Sequence, residues 1–114
     1  MAFSEIELKR IDKIVGGLCR QKTPQNYANE LKFEYRINGH DVLILEIRPR
    51  WDKPQEKTVM SVAKLKFNRT RNTWTLYWQR ASGKWLVYQT AAQKSTLDYL
   101  IKQIADDNYG CFFG

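Results

Sequence analysis

From Leu31 to Ile37 apolar and charged residues alternate, with Leu31, Phe33, Tyr35 and Ile37 set against Lys32, Glu34 and Arg36. A period of two cannot serve a helix and marks a strand with one packed face and one wet face. The alternation runs into Asn38-Gly39, residues that accept the positive φ values of a type I′ turn, so the chain is expected to fold straight back through Val42 to Ile47. Such a hairpin sets Ile37 opposite His40, Arg36 opposite Asp41, Tyr35 opposite Val42 and Phe33 opposite Ile44. Leu43, Leu45 and Ile47 point away from Val42 and Ile44, which makes the second strand apolar on both faces and places it inside a sheet.

The pattern recurs downstream. A third strand is expected from about Val59 to Phe67, with Ala63, Leu65 and Phe67 on one side and Val62, Lys64 and Lys66 on the other. Pro49 and Pro54 bracket the loop before it, since neither can donate to a ladder. Thr70-Arg71-Asn72 turns the chain into a fourth strand, Thr73 to Arg80, and Ser82-Gly83 into a fifth, Lys84 to Thr90. A symmetric register puts Arg80 opposite Trp85, Trp78 opposite Val87 and Tyr77 opposite Tyr88. Trp74, Trp78 and Trp85 then read as core, with Arg80 over Trp85 as a cation–π pair worth about 0.5–1 kcal/mol.

Helical signals flank the strands. Ser4 with Glu7 is a capping box, and Phe3 can staple against Leu8. Ile6, Ile11, Ile14, Val15 and Leu18 form the apolar stripe that follows; Gly16-Gly17 weakens its last turn and Pro24 forbids continuation. Ser95 with Asp98 opens a second helix, whose Leu97, Leu100, Ile101 and Ile104 form a stripe ending near Asp106. The expected architecture is α+β: a twisted antiparallel sheet of about five strands with an N-terminal and a C-terminal helix on one face, forming a single domain over residues 1–114. The tail Tyr109-Gly110-Cys111-Phe112-Phe113-Gly114 is apolar enough to dock on it.

Lys and Arg number 19 against 12 acids, a net charge of +7 that draws anionic partners. Basicity serving solubility alone accounts for the same count equally well. Two cysteines ninety-two positions apart and one histidine fit neither a disulfide scaffold nor a closed zinc site. The start Met1-Ala2-Phe3-Ser4-Glu5 lacks a basic n-region and an apolar run, and no stretch of eighteen apolar residues could span a membrane, so the sequence predicts a cytoplasmic protein with reduced thiols. It offers no Walker, dinucleotide or serine-elbow motif and no cofactor signature. Cys111 and His40 lack an orienting third group.

Two clusters are candidate sites. Glu46, Arg48, Arg50 and Trp51 put charge where the strand pattern calls for apolar residues. They read either as an anion site with two bidentate arginines under a flat lid, or as a structural ion-pair cluster at the sheet's end. Lys64, Lys66, Tyr77 and Tyr88 share the face that the helices leave open, with Arg69 and Arg71 at its rim. Rings for bases and cations for phosphates give this face the chemistry of a single-strand-binding platform, while solvated Lys and Tyr are also ordinary strand residues. The leading expectation is a small basic non-enzymatic binding module for nucleic acid or another polyanion. The alternatives are a protein-interaction module or homodimer and, behind both, a small enzyme acting on an anionic metabolite near Arg48, Arg50 and Trp51.

The chain also resembles a family of small bacterial proteins, the domain-of-unknown-function family DUF3024. The resemblance rests on Met1-Ala2-Phe3-Ser4-Glu5 with Lys9-Arg10-Ile11, Glu34-Tyr35-Arg36-Ile37, Glu46-Ile47-Arg48-Pro49-Arg50-Trp51, Val62-Ala63-Lys64, Trp74-Thr75-Leu76-Tyr77-Trp78, Trp85 with Tyr88, and Gly110-Cys111-Phe112-Phe113-Gly114. The position before Val62, associated with proline in the family, is Ser61 here. The resemblance implies one natural bacterial domain and brings no activity, substrate or catalytic residue with it.

Overall fold

A computed structural model describes residues 3–24, 31–88, 96–107 and 110–113. The strands β1 (Lys32–Asn38), β2 (Asp41–Pro49), β3 (Lys57–Asn68), β4 (Thr73–Gln79) and β5 (Trp85–Val87) lie side by side in chain order, each antiparallel to the next. β2 therefore sits between β1 and β3, where residues apolar on both faces belong: Val42 and Ile44 join the main core, and Leu45 is only 5% exposed outside it.

Three details of register differ from the sequence expectation. In the first hairpin Asn38 pairs with Asp41, so Ile37 opposes Val42, Tyr35 opposes Ile44 and Phe33 opposes Glu46. Gly39, at φ +61°, is the first central residue of the turn and His40 keeps a negative φ, which is the type II′ pattern rather than I′. The pairing moves by two residues, so every side chain keeps its face. Between β2 and β3, Ile44 pairs with Ala63 but Leu45 with Ser61. Val62 is the extra residue of a β-bulge, and it enters the core instead of joining Lys64 and Lys66.

The third difference has the largest consequence. Tyr77 pairs with Val87, Trp78 with Leu86 and Gln79 with Trp85, one residue away from the symmetric register. The cause is an odd-numbered loop. The Arg80 N–H donates to the Lys84 carbonyl (2.9 Å), leaving Ala81, Ser82 and Gly83 as a three-residue connection closed by Gly83 at φ +90°. A one-residue shift exchanges the faces of a whole strand. Tyr88 is thereby buried against Phe112, while Trp85 leaves the core side for the open face and is reached by Lys64 rather than Arg80.

The helices lie on the other face. α1 (Glu5–Ile11), a π-helical turn (Asp12–Gly16) and α2 (Gly17–Lys22) form one continuous run. Its start is the expected capping box: Ser4 Oγ accepts from the Glu7 N–H (3.2 Å), and Glu7 Oε1 accepts from the Ser4 N–H (2.8 Å). Ile11, Val15, Leu18 and Cys19 are buried, but Ile6 is 80% exposed. Five residues at about 100° each carry Ile6 roughly 140° around the helix from Ile11, off the packed stripe. The run passes through Gly16-Gly17 and stops at Thr23, before Pro24. Thr23 Oγ1 donates to the Cys19 carbonyl (2.8 Å) and accepts from the Phe33 N–H (3.0 Å), which ties this helix end to β1.

α3 (Leu97–Asp106) is capped by Thr96, whose side chain accepts from the Tyr99 N–H; the expected cap, Ser95, lies outside the described residues. Leu97, Leu100, Ile101 and Ile104 face the sheet. Asp107 ends α3 in the left-handed region at φ 45°, and its carboxylate accepts from the N–H groups of Phe112 (3.0 Å) and Phe113 (2.8 Å). The tail docks as a result: Phe112 packs on Tyr88, and Phe113 meets Phe33 edge-on at 5.4 Å.

Gly16 is where the wide π-helical turn meets β1. The Asp12 carboxylate accepts from Tyr35 Oη (2.8 Å), and a Cβ on Gly16 would stand 3.0 Å from Asp12 Oδ1 and 3.2 Å from the Tyr35 ring. Nothing lies within 4 Å of a Cβ on Gly17. Thermal or denaturant unfolding should therefore show Gly17→Ala stabilised by about 0.5–1 kcal/mol from helix propensity alone. Gly16→Ala should fall short of Gly17→Ala in the same measurement, because the neighbouring Tyr35 ring has to give way.

Candidate functional site

By strand alternation, the face away from the helices carries Glu34 and Arg36 from β1, Leu43, Leu45 and Ile47 from β2, Lys64 and Lys66 from β3, Thr75, Tyr77 and Gln79 from β4, and Trp85 and Val87 from β5. One rung crosses the whole sheet: Arg36, Leu43, Lys64, Tyr77 and Val87 are successive partners. At its centre Lys64 Nζ lies 4.9 Å from the centroid of the Tyr77 ring and 5.0 Å from that of Trp85. The ammonium is held between two aromatic rings. Both rings are half-buried, so each still presents surface to solvent.

Lys66 extends the positive charge along β3. It is exposed, stands opposite Asp41 in the register and makes no ion pair among the described residues. Toward the β1 edge, Glu34 lies between Lys32 (3.6 Å) and Arg36 (3.1 Å) and balances part of the field. Of the six residues that the sequence assigns to this surface, the structure brings Lys64, Lys66 and Tyr77 together. Tyr88 is in the core, for the loop reason given above. Trp85 takes its place, and only the parity of the Ser82-Gly83 loop could have revealed that.

Arg69 and Arg71 belong to the β3–β4 turn. Arg71 is exposed, its N–H donating to Asn68 Oδ1 (3.1 Å). Arg69 turns to the helix side, where its guanidinium donates to both carboxylate oxygens of Glu7 (2.9 and 3.2 Å) and lies over the Phe67 ring. These hydrogen bonds, with the Ser4 N–H behind them, hold the Glu7 carboxyl well below its ordinary 4.5, at about 2.

The second candidate cluster lies on a two-stranded arm. β1 pairs with β2 only from Ile47 inward and β4 with β3 only from Ala63 inward, so beyond those points β2 and β3 continue as a ribbon. At its root Glu46, still opposite Phe33 of β1, forms an ion pair with Arg48, two positions along the same face of β2. Arg50 donates through Nε and Nη2 to the two oxygens of Asp52 (3.1 and 2.8 Å) and through Nη1 to Glu56 (2.9 Å). Arg48 thus meets an acid of its own strand and Arg50 two acids of its own loop. Trp51 is 94% exposed beside an open depression of ≈390 Å³ lined also by Arg48, Pro49 and Thr58.

The remaining reactive groups are dispersed. Burial pushes the Cys19 thiol up to about 11, and Cys111 is likewise raised by burial; no disulfide joins them. His40 packs edge-on against Phe3 at 5.8 Å. Among the described residues no group of three or more His, Cys, Asp or Glu could hold a metal, and no helix is long and apolar enough to cross a membrane.

The chain matches the family described as Domain of unknown function (DUF3024) over residues 3–114 and belongs to it. Comparison with curated proteins and with solved structures finds no match.

The Glu7–Arg69 contact makes a pH-dependent contribution of definite sign. A carboxyl depressed in the folded state stabilises the fold fully above its unfolded value near 4.5 and loses that effect as pH falls through about 2. The stability difference between the natural protein and Glu7→Gln, followed by denaturant titration, should be constant above pH 4.5 and shrink steadily between pH 4.5 and 2.

Proposed function

We propose that this protein is a small, basic, non-enzymatic binding module whose open sheet face takes single-stranded nucleic acid. The observation that carries this reading is the Lys64 ammonium between the Tyr77 and Trp85 rings on a face that no described helix covers. Half-buried rings on a sheet offer π-surface to unstacked bases, worth roughly 1–3 kcal/mol per base, and Lys64 and Lys66 stand where a backbone phosphate could be met. The net charge of +7 supplies the long-range attraction. The same reading places the protein in a bacterial cytoplasm, a setting suited to two cysteines with no disulfide between them.

A second reading, a protein-interaction or self-associating module, is favoured by the arm, where Trp51, Val59 and Met60 are all exposed. One experiment separates the two. A fluorescent single-stranded oligonucleotide is titrated with the protein at several salt concentrations. Binding should weaken log-linearly with salt, Lys64→Gln and Lys66→Gln should each reduce the slope by about 0.7, and Trp85→Ala should weaken binding roughly fivefold or more while Trp51→Ala leaves it unchanged. Absent or salt-independent binding overturns the proposal, and loss confined to Trp51→Ala transfers the function to the arm.

A further inference from the structure

On the helix side, away from the open face, α1, the β3–β4 turn and the first turn of α3 close around a cavity of ≈230 Å³. Its floor is aromatic and aliphatic. Phe3 and Trp74 lie nearly parallel, 11° apart with centroids at 5.8 Å, Phe67 packs on Trp74 at 4.9 Å, and Ile11 and Leu97 complete the walls. An apolar cavity of about 150 Å³ already accepts a benzene ring, so this one has room for a ring and a small head group. Its mouth is polar, formed by Glu7, Arg10 and Asn72.

The hydrogen-bonding capacity left at that mouth is weighted toward donors, with the Asn72 side-chain oxygen as an acceptor beside them. Glu7 is occupied: Oε1 accepts from the Ser4 N–H and Arg69 Nη2, and Oε2 from Arg69 Nη1. Among the described residues Arg10 makes one hydrogen bond, Nη2 to Asp98 Oδ2 at 3.2 Å, while a guanidinium carries five N–H donors. The Asn72 side-chain amide makes no hydrogen bond among the described residues and stands on a backbone in the left-handed region, φ 54°. Donors with spare capacity above an aromatic floor suit a flat apolar body that ends in an anion.

We infer that this cavity is a binding site for a small aryl monocarboxylate, its ring on Phe3, Phe67 and Trp74 and its carboxylate on Arg10 and Asn72. The site shares no residue with the open sheet face, so either surface can fail its test without the other. Arg10 is the positioning group for the head, since a guanidinium fork matches a carboxylate in geometry as well as in charge. Its side chain is 61% exposed and its link to Asp98 is a surface ion pair, so replacing it should leave the fold intact.

The test uses the full chain, with phenylacetate and its neutral amide phenylacetamide as probes, followed by two-dimensional amide NMR. At about 1 mM phenylacetate should shift the Trp74 indole and Asn72 amide signals and leave Trp85 unmoved, while phenylacetamide binds roughly tenfold more weakly. Arg10→Gln, checked for an unchanged melting temperature, should abolish the preference for the acid. Equal affinity of acid and amide for the natural protein, shifts that map to Trp85 rather than Trp74, or no shift at either overturns the inference.

Discussion

A strand side chain can go to one of only two faces, and in this sheet every functional statement depends on which face each residue takes. Helices cover one side, so the same alternation that builds the core decides what the other side shows to solvent. Val42, Ile44, Ala63, Leu65 and Leu76 form the packed layer that fixes this choice. Moving any of these strands by one residue would expose that layer, so register is strongly specified in the middle of the sheet. Among the described residues β5 pairs through three positions, and there the loop geometry matters as much as burial. Gly83 in the left-handed region gives the hairpin its odd loop, and through it sends Trp85 outward and Tyr88 inward.

Polar contacts at the periphery hold the layers together without contributing to the core. Thr23 joins the end of α2 to β1, Asp107 clamps the tail, and Glu7 with Arg69 bridges α1 to the β3–β4 turn. Of these, the exposed Glu7–Arg69 pair is of the surface kind that contributes little stability, while the Thr23 and Asp107 bonds are partly buried. Their effect is geometric: they set where α1, the turn and α3 stand, and hence the shape of the cavity between them. The same holds on the arm, where Asp52 and Glu56 fix Arg50 and the loop around it while Trp51 stays in water.

Much of this was legible in the residues themselves. The alternation from Leu31, the capping box at Ser4, the stripe of α3, that of the N-terminal helical run apart from Ile6, and the interior position of β2 all follow from local periodicity, and each appears in the fold. What local periodicity cannot give is the count of residues in a turn or an extra residue within a strand. Asn38-Gly39 signals a turn correctly but not that Gly39-His40 forms its centre, a harmless shift of two. The bulge at Val62 and the three-residue loop before Lys84 each change parity, and parity is what moved Val62, Tyr88 and Trp85. The acids that meet Arg50 were equally hidden, since only the fold brings Glu56 back to it. The cavity under Phe3 joins three elements distant in sequence and leaves no local mark.

The placement of Lys64 between Tyr77 and Trp85 can be read directly from proton NMR of the unmodified protein. Ring currents should carry the Lys64 ε-methylene signal upfield, with nuclear Overhauser contacts to both the Tyr77 and the Trp85 rings. A Lys64 ε-methylene at its random-coil position, together with contacts from the Trp85 ring to α3 or Phe112, would mean that β5 runs in the other register and that this face does not exist.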